Sequence, residues 1–206
     1  IDYLNNYKPS LWQRFKGLFQ KKHQPILLDI GCNDGTTHSN SLALILRGWD
    51  ALVVDPTIMA VVNARINYQE MRRNVTVAPC AIGAANENKT FWEFTQKYAT
   101  SRYGYFSTFK YEEVPEEVKE FFIETLVDVM DYKTFCDTYN QHHFDFITID
   151  TCGTELEILS QIDLSKTKLV CVAYTELNKW DILSVCKEYG LNNIVYQSPA
   201  NIEIGR

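Results

Sequence analysis

The chain has 206 residues, 46% hydrophobic and 22% charged, and its 20 Lys and Arg stand against 26 Asp and Glu for a formal net charge of −6. That length builds one α/β domain with a full core, and the acidic balance argues against a partner recognised through its phosphate backbone, so nucleic acid is not expected. No apolar run is long enough to span a bilayer, and the six cysteines (32, 80, 136, 152, 171 and 186) form no C-x-x-C pair, which sets aside a zinc site or disulfide framework and points to thiols in a cytoplasmic setting.

Residues 1–24 place Leu11, Trp12, Phe15, Leu18 and Phe19 at helical spacing, with Arg14, Lys16, Lys21 and Lys22 among them. They read as an N-terminal helical extension that packs on a sheet or its edge. The same mixture also suits membrane contact through residues 11–22, a reading that Gly17 and the short length disfavour. The chain starts at Ile1 without Met, which reads as a trimmed chain and leaves an upstream anchor open. Residues 25–206 read as a single domain.

Residues 26–30 (I-L-L-D-I) are a buried strand that breaks into G-C-N-D-G, a turn rich in glycine and short polar residues. Residues 39–47 read as a helix closed by Gly48, and residues 51–54 as a second strand stopped at Asp55-Pro56. A helix over 59–71 and a strand over 75–78 follow, the latter entering P-C-A-I-G. Residues 90–95 alternate, and residues 98–111 (Y-A-T-S-R-Y-G-Y-F-S-T-F-K-Y) read as an irregular or hairpin insertion. Its Tyr103, Tyr105 and Phe106 suit either hairpin packing or a lid that offers flat faces to a sugar. An extended segment over 121–127 leads to a helix near 132–140. Residues 144–149 form a strand ending at Asp150, then a helix spans 153–162. A strand over 169–173 ends near Glu176, a helix over 180–189 stops at Gly190, and two short strands at 193–196 and 202–204 close the chain. This alternation predicts a doubly wound, mostly parallel, seven-stranded sheet.

In such sheets ligands lie at the carboxyl ends of the strands. There the predicted strands deliver Asp29 with the 31–35 turn, Asp55, Cys80 with Ala81, Asp150, and Glu176. Lone carboxylates at a sheet edge cost desolvation, so their gathering points to a ligand, although each also has a structural reading; Asp150, for example, suits the cap of the next helix. Asp55 lies about 20 residues past the glycine turn, the spacing of a carboxylate that binds ribose hydroxyls. The turn lacks G-x-G-x-x-G, which disfavours a nicotinamide dinucleotide.

Five segments, D-I-G-C-N-D-G (29–35), V-V-D-P (53–56), V-A-P-C-A-I-G (77–83), I-E-T-L-V-D-V-M (123–130) and F-D-F-I-T-I-D-T-C-G-T-E-L-E-I-L (144–159), occur in an order that resembles the FkbM family of methyltransferases. The last segment keeps Asp150, Gly153 and Glu155 but has Cys152 where that family usually carries Glu. The resemblance implies a Rossmann-like class I methyltransferase fold and S-adenosylmethionine as methyl donor. It further implies O-methylation of a sugar, a glycan or a small natural-product hydroxyl. Carried onto this chain, Asp29, Gly31, Asn33 and Gly35 would line the methionine end of the donor, Asp55 would bind ribose, and Cys80 with Ala81 would flank adenine. Asp150 and Glu155, then Glu176, are the candidate catalytic acids; no metal is expected. The Cys152 departure keeps a second reading open, a methyltransferase-fold binding module with altered or lost catalysis.

Overall fold

The computed structural model describes residues 24–94 and 107–206. The expected N-terminal helix with its membrane contact, and Tyr103, Tyr105 and Phe106 of the aromatic insertion, lie outside the described residues. No helix among the described residues is long and apolar enough to cross a membrane.

Seven strands form the main sheet: β1 (Ile26–Ile30), β2 (Asp50–Val54), β3 (Val75–Ala78), β7 (Phe146–Ile149), β8 (Leu169–Ala173), β9 (Asn193–Gln197) and β10 (Asn201–Gly205). Their order is β3-β2-β1-β7-β8-β10-β9. The first five strands of that order run parallel, and β10 is antiparallel to both β8 and β9. The central strands read as near-continuous apolar runs because both faces are covered.

One face carries Leu28, Ile30, Leu52, Val54, Ile147, Ile149, Val170 and Val172, packed against α3 (Tyr132–Tyr139), α4 (Glu155–Leu159) and α5 (Lys179–Glu188). The other carries Leu27, Val53, Val77, Phe146 and Cys171 beneath α1 (Leu42–Ile45) and α2 (Ile58–Glu70). Helices on both faces make the sheet doubly wound, as expected.

Two departures from the sequence reading have local causes. Helix α1 is shorter than 39–47, because the Ser39 hydroxyl takes the N–H groups of Ser41 and Leu42 and starts the helix late. Helix α4 begins at Glu155 instead of 153, because Cys152 (φ +57°) and Gly153 (φ +117°) are left-handed and no helix can pass through them. The segment expected as an irregular insertion is flanked by a second sheet, β4 (Ala81–Ile82), β6 (Phe122–Met130) and β5 (Glu87–Phe94), in the order β4-β6-β5. Strands β5 and β6 pair antiparallel without interruption from Glu87↔Val129 to Phe94↔Phe122.

At the end of β10, the Arg206 guanidinium donates to the carbonyls of Leu164, Ser165, Thr167 and Tyr189 at 2.6–3.0 Å. It thereby ties the final strand to the turn before β8 and to the end of α5. Arg206→Ala is expected to cost about 1–2 kcal/mol, read as a fall of roughly 3–6 °C in melting temperature, with Arg206→Lys recovering little because a lysine cannot reproduce the fork.

Candidate active site

Strand order reverses between β1 and β7, so their carboxyl ends border a crevice. A cavity of about 480 Å³ opens there, within the range of small-molecule sites. It is lined by Asp29, Gly31 and Asn33 from β1 and its turn, Asp55 beyond β2, Cys80 and Ala81 beyond β3, and Asp150 and Cys152 beyond β7. The second sheet closes the remaining side with Phe91, Glu93 and Phe94, joined by Ser107 and Phe109.

Gly31 brings the two central strand ends together. Its φ is +87°, and a Cβ there would stand 1.9 Å from the Asp150 carbonyl oxygen. The N–H groups of Gly31 and Cys32 both donate to the Val54 carbonyl, at 2.9 and 3.0 Å, which binds the turn to the end of β2. Asp34, inside the turn, accepts the N–H and hydroxyl of both Thr36 and Thr37. Burial opposes its ionisation, but these bonds outweigh it and lower its pKa. Asp34 therefore shapes the turn.

The cavity carboxylates differ in what they already hold. Asp29 is buried and accepts the Ser41 hydroxyl; burial, with Asp150 and Asp55 adding repulsion, pushes its carboxyl up to about 7 against the pull of that bond. Asp55 accepts the N–H of Asn33 on one oxygen and of Thr57 on the other, both at 2.9 Å, and burial still raises its pKa. The Thr57 side chain draws on the same carboxylate, which still lines the cavity. No donor among the described residues reaches the Asp150 carboxylate, and burial followed by repulsion from Glu155 pushes it up to about 6.

Three expected site residues are placed elsewhere. The Glu155 carboxylate is buried and accepts the N–H groups of Thr151 (2.9 Å) and Gly153 (3.0 and 3.1 Å), so it braces the 150–154 loop and does not line the cavity. Glu176 is exposed on the turn after β8, away from the cavity. Gly35 (φ +75°) lies against the Tyr68 ring, where a Cβ would fall 2.5 Å from it; its missing side chain makes room for packing, not for a ligand.

Cys152 does line the cavity, but burial together with Asp150, Glu155 and Asp55 pushes its thiol up to about 12, so it is not a nucleophile at neutral pH. Among the described residues no group of three or more His, Cys, Asp and Glu side chains is arranged to hold a metal ion.

The Methyltransferase FkbM domain model matches residues 29–188. No curated protein matches the chain significantly. Among solved structures, the chain is similar to the methyltransferase FkbM of Methylobacillus flagellatus KT (17% identity, 92% of this chain and 45% of that one, TM-score 0.53), so it spans less than half of that protein's length. It is also similar to the human methyltransferase 10 domain containing protein (14% identity, 98% and 80% covered, TM-score 0.51). A third likeness is to the METTL16 MTase domain (12% identity, 94% and 64% covered, TM-score 0.50). At such identities these likenesses show a shared fold.

Proposed function

Because the chain belongs to the Methyltransferase FkbM domain family, we propose that it transfers a methyl group from S-adenosylmethionine to an oxygen of a sugar, a glycan or a small natural-product hydroxyl compound. The observation that carries this reading is the convergence of Asp29, Asp55 and Asp150 on one cavity at the strand-order reversal. A crevice lined by carboxylates repels anions and favours a ligand with a positive sulfonium and an ammonium group. When bound, that donor supplies an electrophilic methyl on its sulfur.

The residues of the chain supply the rest. Asp29, Gly31 and Asn33 hold the methionine end of the donor, Gly31 by letting the backbone pass close. Asp55, which lines the cavity just beyond β2, accepts the ribose hydroxyls. Cys80 and Ala81 flank the base. Asp150, which no donor among the described residues reaches, ends β7 with a carboxyl pushed up to about 6, and so receives the proton of the acceptor hydroxyl. Glu155 holds the loop that presents it, a positioning role. Alignment of acceptor and donor supplies most of the rate, as for other well-oriented reactants.

S-adenosylhomocysteine at millimolar concentration is expected to raise the melting temperature by several degrees. Asp55→Asn, which leaves one oxygen where the Asn33 and Thr57 N–H groups now use two, is expected to remove most of that shift and to lower the ligand-free melting point by a few degrees as well. Absence of any shift in the unaltered protein would sink the donor assignment.

A further inference from the structure

Glu93 lies on β5, away from the strand ends where the sequence directs attention, yet its side chain lines the cavity. Phe91 and Glu93, two apart, share one face of the second sheet. Phe109 meets the Phe91 ring edge-on, with centroids 4.8 Å apart. Together with Cys80, Ala81 and Ile82 these rings give one end of the cavity an apolar wall.

Packing locates that end: Phe91, on the same face of β5 as Glu93, forms one buried cluster with Ala81, Val127 and Val129, with Phe109 packed against it. Burial raises the Glu93 carboxyl and the Asp55 charge adds to it, so Glu93 also stands within reach of Asp55. If the methionine end of the donor is held at Asp29 and its ribose at Asp55, the group that reaches Glu93 is the base.

Among the described residues the side chains there offer the base few polar atoms: those of Ala81, Ile82 and the phenylalanines have none, the Cys80 thiol is a weak partner, and the Ser107 hydroxyl already accepts the Phe94 N–H at 3.1 Å. No donor among the described residues reaches the Glu93 carboxylate. It is half-buried in a largely apolar slot, where an unmatched carboxylate is costly.

We propose that Glu93 selects the base of the donor, its carboxylate accepting a hydrogen bond from the exocyclic amine of a purine that rests on the wall of Cys80, Ala81, Phe91 and Phe109. This assignment rests on the S-adenosylmethionine reading. An ionised carboxylate only accepts, so it pairs with an amine and repels a carbonyl oxygen in the same place. A buried polar group left unmatched is what lets a site reject a close analogue.

The test measures binding of S-adenosylhomocysteine and S-inosylhomocysteine, in which the amine is replaced by oxygen, by calorimetry. The unaltered protein is expected to prefer the adenosyl ligand by about tenfold to a hundredfold. Glu93→Gln is expected to abolish that preference, because its amide turns to donate to the oxygen, and Glu93→Ala to weaken adenosyl binding by about tenfold. If the unaltered protein binds neither ligand, the donor reading fails and takes this assignment with it. If it binds S-adenosylhomocysteine but does not discriminate, or if Glu93→Gln still discriminates, Glu93 is not the selector and the donor reading stands. The comparison within the unaltered protein is informative even if a variant folds poorly.

Discussion

Asp150→Asn is expected to raise the melting temperature of the ligand-free protein at pH 7.5 by about 5 °C while lowering methyl transfer by about two to four orders of magnitude. The stability half follows from proton linkage. Burial pushes the Asp150 carboxyl up to about 6 in the folded chain against 3.8 for an ordinary aspartate, so between those values the folded state binds more protons than the unfolded one. Stability is then lost as pH rises through that window, the reverse of a salt-bridged aspartate. One pKa unit is worth about 1.4 kcal/mol, and with some allowance for residual solvent the burden at pH 7.5 is on the order of 2 kcal/mol. Asparagine fills nearly the same space without the charge and removes that burden. It also relieves Asp29, whose carboxyl is pushed up partly by Asp150. Melting curves of both proteins from pH 4 to 8 check the sign: the gain should be near zero at pH 4, grow towards pH 6 to 7 and then level off. A gain of the same size at pH 4 would show that packing, not charge, is responsible. S-adenosylhomocysteine should still bind Asp150→Asn, a few-fold more weakly, because Asp29 and Asp55 remain. The activity half is read with labelled S-adenosylmethionine across a panel of glycans and small hydroxyl compounds. Undiminished transfer by the variant would remove Asp150 as the base.

The same physics explains what the sequence could and could not reveal. Strands covered on both faces are apolar almost throughout, so β1, β2 and β8 are legible as runs, and Asp29 and Asp55 stand out as polar residues where those runs end. Residues whose role depends on a partner far along the chain are not legible in this way. Gly35 looks like a ligand-facing glycine until Tyr68, 33 residues later, is seen against it. Glu155 looks like a second catalytic acid until the left-handed backbone of Cys152 and Gly153 folds the Thr151 and Gly153 N–H groups onto its carboxylate. Glu176 follows a strand as Asp150 does, but β8 lies one strand further from the reversal and its turn faces solvent. Glu93 carries no local mark at all, because it enters the site only through the pairing of β5 with β6, which brings Glu93 opposite Ile123.

Gly31→Ala is expected to destabilise the protein by at least about 4 kcal/mol, enough to lower the melting temperature by 10 °C or more or to prevent recovery of soluble protein. Two costs combine. A left-handed backbone disfavours any L side chain by about 1–2 kcal/mol, and the new methyl would overlap a main-chain carbonyl at 1.9 Å. That carbonyl belongs to Asp150, whose own N–H is bonded to the Ile30 carbonyl at 2.9 Å, while the Gly31 N–H is held by Val54 at 2.9 Å. Neither side can retreat without breaking a bond between strand ends, so the β1 and β7 ends must separate at the crevice itself. Gly48→Ala isolates the first cost: Gly48 has φ +91° but nothing within 4 Å of its Cβ position, so the change there should cost only about 1–2 kcal/mol. Chemical denaturation of both variants measures the difference directly. Equal losses would mean that backbone conformation alone requires Gly31; a much larger loss at Gly31 means that the close approach of β1 to β7 is what the glycine provides. Any Gly31→Ala protein that does fold should also lose the thermal shift with S-adenosylhomocysteine, since the strand ends it forces apart carry Asp29 and Asp150.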